Sequence, residues 1–236
     1  MSYYIGTSGW AYEEWRSGFY PPGLKAGERL AYMAGHFNTV ELNNTFYRLP
    51  SPSMMAKWAA AVPIDFRFAV KVWNEISHTR RLHDIEAEVA QFMASLQPLE
   101  GKRGPLLLQL PLSLTADAAP LLERAIALFT SHGAEHIAVE FRHVSWHGVE
   151  LSNAAIVAHD MKRALDMDPA GAPFAYLRLH GPKGDYKGPY GADFLRTLAD
   201  SIKKRAAADT YVFFNNTMTG DAPLEALALQ KLLDAR

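Results

Sequence analysis

Val40-Glu41-Leu42-Asn43-Asn44 is a short apolar run that ends on a carboxylate and two amides, none of which a strand needs for its own stability. The same design returns in Phe68-Ala69-Val70-Lys71, Leu106-Leu107-Leu108-Gln109, Ile137-Ala138-Val139-Glu140-Phe141-Arg142, Ala175-Tyr176-Leu177-Arg178-Leu179-His180 and Tyr211-Val212-Phe213-Phe214-Asn215-Asn216. Buried parallel strands read as near-continuous apolar runs, and in α/β proteins the ligand sits beyond their C-terminal ends. The polar stops therefore locate a site without stating its chemistry.

Working outward, strands are expected near residues 3–6, 38–42, 66–73, 105–110, 136–142, 154–159, 174–180 and 210–215. Helical periodicity fills most of the gaps. Leu30, Met33, Ala34 and Phe37 recur at helical spacing, as do Ile85, Val89, Phe92, Met93 and Leu96. Ser51-Pro52 reads as an N-cap followed by proline at the first helical position, opening a helix with Met55, Trp58, Ala59 and Val62 on one face. Asp117 and Asp221 are expected to cap two later helices, which carry Leu122, Ala125, Ile126 and Phe129, then Leu224, Leu227, Ala228 and Leu232. Eight strand and helix units at this spacing predict an α/β fold closed as a (β/α)8 barrel of the triosephosphate-isomerase type, a single domain over residues 1–236. The gaps from Arg142 to Ala154 and from Asp160 to Phe174 are too short for full crossovers, so short helices are expected around residues 146–170.

Composition narrows the function classes. The chain has 236 residues, 49% of them apolar, and a formal charge of -1. Near-neutrality excludes a globally basic nucleic-acid coat, so any anion must be bound in a focused site. The absence of cysteine removes disulfides, thiolate metal ligands and cysteine nucleophiles. No stretch has the length of a membrane span and the N-terminus lacks a signal pattern, which predicts a cytoplasmic protein.

Residues two apart on a strand share a face, so Glu41 pairs with Asn43, Glu140 with Arg142 and Arg178 with His180. With Lys71, Gln109 and Asn215 they are expected to ring one mouth of the barrel. The opening loop adds Thr7, Ser8 and Trp10, since small residues after a strand can present backbone N–H groups to an anion. Trp10, Tyr12, Trp15, Phe46, Tyr47, Trp73, Trp146 and Tyr186 fall in strand-end loops, some as stacking platforms and the rest as loop anchors. His143-x3-His147 and His132-x3-His136 have metal-ligand spacing, yet arginine and lysine at neighbouring strand ends repel a cation; no metal and no cofactor is assigned. The glycine-rich stretch Gly181–Gly191 is expected to be a lid or binding loop.

Ile5-Gly6-Thr7-Ser8-Gly9-Trp10, Phe19-Tyr20-Pro21, Val40–Tyr47, Phe68-Ala69-Val70-Lys71, Leu108-Gln109-Leu110-Pro111, Val139–Arg142, Tyr176–Gly181 and Phe214-Asn215-Asn216, in this order, resemble the signature of the YecE-like family, the domain of unknown function numbered seventy-two. The resemblance implies a triosephosphate-isomerase-type barrel, related in fold to sugar isomerases and metal-dependent apurinic endonucleases. It implies no particular activity. The stretch between Trp146 and Phe174 is shorter than the family pattern, and no role is assigned to His159 or Asp160.

The residues themselves favour an enzyme, a hydrolase, lyase or isomerase, acting on a small anionic substrate such as a sugar phosphate or nucleotide. Arg142, Arg178 and Lys71 would hold the anion, Glu41 and Glu140 would serve as general acid and base, and His180 would shuttle protons. Thr7, Ser8, Trp10, Asn43, Gln109 and Asn215 complete the expected substrate contacts. Two alternatives keep the same mouth: glycoside hydrolysis by the two glutamates, or a Schiff base on Lys71. A third is a non-catalytic module for nucleic acid or an anionic metabolite, its footprint extended by Arg80, Arg81, Lys183 and Lys187.

Overall fold

The computed structural model describes residues 2–161, 174–205 and 209–235. Strands run in the order β1 (Tyr3–Thr7), β2 (Thr39–Leu42), β3 (Arg67–Lys71), β4 (Arg103–Gln109), β5 (Ile137–Glu140), β6 (Ala155–Ile156), β7 (Ala158–His159), β8 (Ala175–Leu179) and β9 (Thr210–Phe214). Interleaved with them are α1 (Arg29–Ala34), α2 (Asn44–Tyr47), α3 (Pro52–Ala60), α4 (Glu86–Ser95), α5 (Ala119–Ser131), α6 (Ala192–Lys204) and α7 (Asp221–Asp234). Every pairing between these strands is parallel. The expected α/β class with parallel strands is borne out.

The ladder is not one closed sheet. It divides into β1-β9-β8-β7 and β2-β3-β4-β5-β6. At one junction Ser8 and Glu41 form an isolated parallel bridge, and Gly9 N–H donates to the Glu41 carbonyl at 2.9 Å. At the other, the strand expected at 154–159 is split: Ala155 and Ile156 pair with β5, whereas Ala158 and His159 pair with β8. Gly6 is required at the first junction, because a Cβ there would lie 2.2 Å from the Thr39 carbonyl oxygen of β2. Up to Met161 the expected short helices around 146–170 are replaced by a 3-10 turn at Val144–Trp146, irregular chain and the short strands β6 and β7. Residues 162–170 lie outside the described residues.

Period-two alternation sorts each strand into two faces. Ile5, Val40, Leu42, Phe68, Val70, Leu106, Leu108, Val139, Leu177 and Val212 join the large core shared with the helices. Ala69, Leu107, Ala138, Ala155, Tyr176, Tyr211 and Phe213 form a second, inner cluster to which strands of both sheets contribute. Alanines on β3, β5 and β6 leave volume for Tyr176 and Phe213 from β8 and β9. One step of two further along the same face come Lys71, Gln109, Glu140, Arg178 and Asn215. The inner face thus changes from apolar to charged at the strand ends.

Ser51 caps α3 as expected, its Oγ accepting from Met54 N–H at 3.3 Å with Pro52 at the first turn. Asp117 and Asp221 do not act as side-chain caps: Asp117 lies in a 3-10 turn (Ala116–Ala118) ahead of α5, and Asp221 is already the first residue of α7. On α5 the predicted Leu122, Ala125, Ile126 and Phe129 are buried. On α7 the expected face is displaced: Ala222, Ala226, Leu229 and Leu233 are buried, and Leu224 is exposed. Small alanines let that helix approach β1 and β9, so its bulkier leucines sit at the flank. Among the described residues no helix is long and apolar enough to cross a membrane.

Candidate functional site at the strand ends

Three charged side chains from three strands meet below the mouth. Arg178 is buried, with Nε and Nη2 each 2.9 Å from a Glu41 oxygen and Nη1 2.5 Å from Glu140 Oε2. Glu41 also accepts from Ser8 Oγ and Tyr176 Oη, both at 2.7 Å. Glu140 is paired in addition with Arg142. Burial raises both carboxyl pKa values and is the largest single influence, but the lowering contributions together outweigh it and both lie below the usual carboxylate range: Arg178 with the hydrogen bonds from Ser8 and Tyr176 for Glu41, and Arg178 with Arg142, His159 and His180 for Glu140. Each glutamate is thus a fixed anion facing a guanidinium rather than open space.

Above this layer opens a cleft of about 990 Å3. Lys71, Arg142, Arg178, Asn43, Gln109 and Asn215 of the predicted set line it, together with four histidines, His78, His143, His147 and His159. No carboxylate is among the described residues of its lining. Glu41, Glu140 and His180 are fully buried and lie beneath the floor. Two glutamates here face two arginines and a lysine, and Asp160 beneath His180 adds a third carboxylate below the floor.

Lys71 is half-buried with its Nζ 4.1 Å from the centroid of the Phe46 ring, and among the described residues no carboxylate is within ion-pair distance of it. Its pKa is pushed down to about 8, first by burial and then by Arg178, with Glu140 and Glu41 working in the opposite direction. His78 is held below its ordinary value by burial, then by Lys71 and Arg142. Two polar atoms at the cleft lack partners among the described residues: the buried Asn43 Oδ1 receives no donor, and the buried Arg142 Nε finds no acceptor. Unpaired buried polar atoms are costly, so they mark where a ligand would be welcome.

His180 sits on Asp160, whose Oδ1 is 3.2 Å from Nδ1 and also accepts the His180 backbone N–H at 2.7 Å. Burial keeps the ring below its usual pKa against the opposing hydrogen bond to Asp160. Tyr190 Oη donates to the other oxygen of Asp160 and accepts from Gly181 N–H at 2.6 Å. The loop expected as a lid is strapped down: Tyr190 N–H and Gly191 N–H donate to Glu225, and Asn216 donates to the Gly188 carbonyl at 2.9 Å. Gly181 is needed there, since at φ +95° a Cβ would meet the Lys187 carbonyl at 2.3 Å.

Thr7, Ser8 and Trp10 of the opening loop do not line the cleft. Thr7 Oγ1 donates to the Gly9 carbonyl at 2.7 Å, Ser8 is committed to Glu41, and Trp10 packs edge-on against Trp58 at 5.0 Å. Of the aromatic residues, Tyr12, Phe46, Tyr47 and Tyr186 line the cleft. Trp15 and Trp146 are anchors, their indole N–H groups donating to the Thr217 and Leu114 carbonyls. Sequence reasoning missed Tyr176, because a tyrosine within an apolar strand reads as core. It also assigned nothing to His159 and Asp160, which close the expected strand 154–159 within a stretch shorter than the family pattern. Among the described residues no group of three or more His, Asp or Glu side chains converges as a metal-ligand set.

A family model described as protein of unknown function DUF72 matches residues 4–236. The chain belongs to the DUF72 family. Its polar strand ends are therefore those of a DUF72 protein. UPF0759 protein YecE of Escherichia coli K12 is 33% identical over 141 residues, which are 59% of this chain and 48% of YecE. The chain thus aligns with about half the length of that relative. A crystal structure of a DUF72 family protein from Thermotoga maritima superposes with a TM-score of 0.86 at 29% identity, covering 99% of this chain and 100% of that one. The apo 3-keto-D-glucoside 4-epimerase YcjR of E. coli superposes with a TM-score of 0.58 at 10% identity, over 100% of both chains. At that identity the likeness is one of fold alone.

Proposed function

We propose that this DUF72 protein is an enzyme for a small anionic substrate, of the size of a sugar phosphate, bound in the cleft at the strand ends. The observation that carries the reading is the charge layout: Lys71, Arg142 and Arg178 reach a lining without a carboxylate among its described residues, and both nearby glutamates are already paired with the arginines. Arg142 is the anion clamp, since among the described residues its Nε is an unused donor. Arg178 offsets the charge of the buried glutamates at the floor. Glu41 and Glu140 orient that guanidinium, and Lys71 with the neutral His78 supplies the titrating groups near the substrate. We also read the two sheets as the halves of one barrel, supported by the Ser8–Glu41 bridge and by the shared segment 155–159. The sugar epimerase fold is compatible with this reading.

Glycoside hydrolysis is disfavoured, because one guanidinium stands between the two glutamates and engages both. A nucleic-acid module is disfavoured because Arg80 is paired with Glu88 at 2.6 Å and Arg81 donates to Ser113 Oγ at 2.6 Å, away from the cleft. Calorimetric titration with inorganic phosphate and with glucose 6-phosphate tests the proposal. Binding should weaken at high salt, and Arg142→Gln should lower affinity about tenfold, the loss of one charge-assisted hydrogen-bonded contact. Absence of binding by the wild-type protein, or an unchanged Kd in Arg142→Gln, overturns it.

A further inference from the structure

Lys71 differs from the other cations of the site. Arg178 is held by two glutamates and Arg142 by one, whereas the lysine amine ends against an aromatic face with no ion pair among the described residues. A half-buried amine without a counter-charge, opening on a cleft of about 990 Å3, is costly as a purely structural device. The neighbouring carboxylates, Glu41 and Glu140, are turned to the arginines, and their pull on the amine's proton is outweighed by burial and Arg178. Asn43, whose Oδ1 is buried without a donor among the described residues, lines the same cleft and suits a substrate hydroxyl.

We propose that Lys71 is the nucleophile of a carbonyl-capturing site, forming an iminium with an aldehyde or ketone that also carries an anionic group. The inference rests on the anion-binding reading of the cleft. In the step, the neutral amine's lone pair forms the C–N bond while the C=O π pair moves to oxygen. One amine proton and one further proton, available from solvent in the open cleft, leave with that oxygen as water. The iminium keeps a single N–H and the positive charge. Arg142 holds the anionic end. The groups facing the amine are Arg178, Arg142, Glu41, Glu140 and His78; with its pKa near 8, Lys71 is partly neutral at physiological pH.

Reductive trapping decides the matter. The protein is incubated with glyceraldehyde 3-phosphate, or with glyceraldehyde, in cyanoborohydride, and the adducts are mapped by peptide mass spectrometry. One reduced adduct should accumulate at Lys71 about tenfold faster than at any other lysine, because its free-amine fraction is larger. Its rate should rise through pH 8, fall when inorganic phosphate is added, and be slower with unphosphorylated glyceraldehyde. Labelling spread evenly over exposed lysines overturns the proposal. Lys71→Arg and Lys71→Met, both checked by circular dichroism, should lose the fast adduct; its persistence at another site also overturns it. Calorimetry with phosphate separates the two readings: phosphate binding without selective labelling removes the iminium and leaves the anion site. Selective labelling that ignores both phosphate and the charge of the probe keeps the iminium and removes the anion site.

Discussion

Arg178 joins two glutamates that come from strands far apart in sequence, Glu41 on β2 and Glu140 on β5, and all three are buried. A buried ion cluster adds little net stability when intact, but removing the central charge leaves two carboxylates unpaired in a poorly solvated layer. Arg178→Met is therefore expected to cost about 3–5 kcal/mol in urea denaturation. Adding Glu41→Gln should restore part of that loss, because one uncompensated charge disappears with it. A double mutant no more stable than Arg178→Met would show that the cluster is not coupled in this way. The neighbours of Arg178 were legible one at a time, since each ended an apolar run. Their pairing was not, because hydrogen-bond partners separated by 137 residues leave no local signal.

At the scale of elements, two substitutions report on different constraints. Ser51→Ala removes one side-chain acceptor at the start of α3 and should lower stability by about 1 kcal/mol. Gly6→Ala pushes a methyl group into the Thr39 carbonyl, so β1 and β2 must separate at the junction of the two sheets. The expected cost is about 3 kcal/mol or more, at or above the range of ordinary overpacking. Equal effects in thermal unfolding would mean that the β1–β2 approach is more pliant than its geometry implies. The N-cap was readable because Ser-Pro is a local code. The face of α7 was not: helical spacing allowed both leucine and alanine stripes, and only packing on β1 and β9 selected Ala222, Ala226, Leu229 and Leu233. The split of 154–159 between two neighbours was equally invisible, since pairing partners are a property of the assembled sheet.

For the whole molecule, the shifted groups combine into a stability profile in pH. His180 and His78 have folded pKa values below the ordinary 6.5, so their contribution is present above pH 6.5 and is lost as pH falls. Glu41 and Glu140, depressed from 4.5, extend the loss into more acid solution; Glu225, raised by burial, opposes it. On the alkaline side Lys71 is charged in the unfolded chain up to 10.5 but only up to about 8 when folded, so stability should rise between those values. Tyr176, Tyr20 and Tyr211, raised above 10.0 by burial, reverse the trend beyond pH 10. Denaturation midpoints should thus peak on the alkaline side of neutrality, and Lys71→Met should abolish the rise between pH 8 and 10. A profile flat from pH 7 to 10 in the wild-type protein would contradict the environment assigned to Lys71.

The sequence by itself determined the parallel α/β class, the position of nearly every strand and the end of the molecule where polar groups collect, because alternation and apolar runs are written in neighbouring residues. It also carried the family signature. Tertiary structure alone decided which polar stops face the cleft and which lie beneath it. Lys71, Arg142, Asn43 and Gln109 emerged at the surface of the site, whereas Glu41, Glu140 and His180 became its buried support. The reason is electrostatic: carboxylates deep between sheets must meet a guanidinium, and where Arg178 comes to lie depends on strands that adjoin only once the chain is folded.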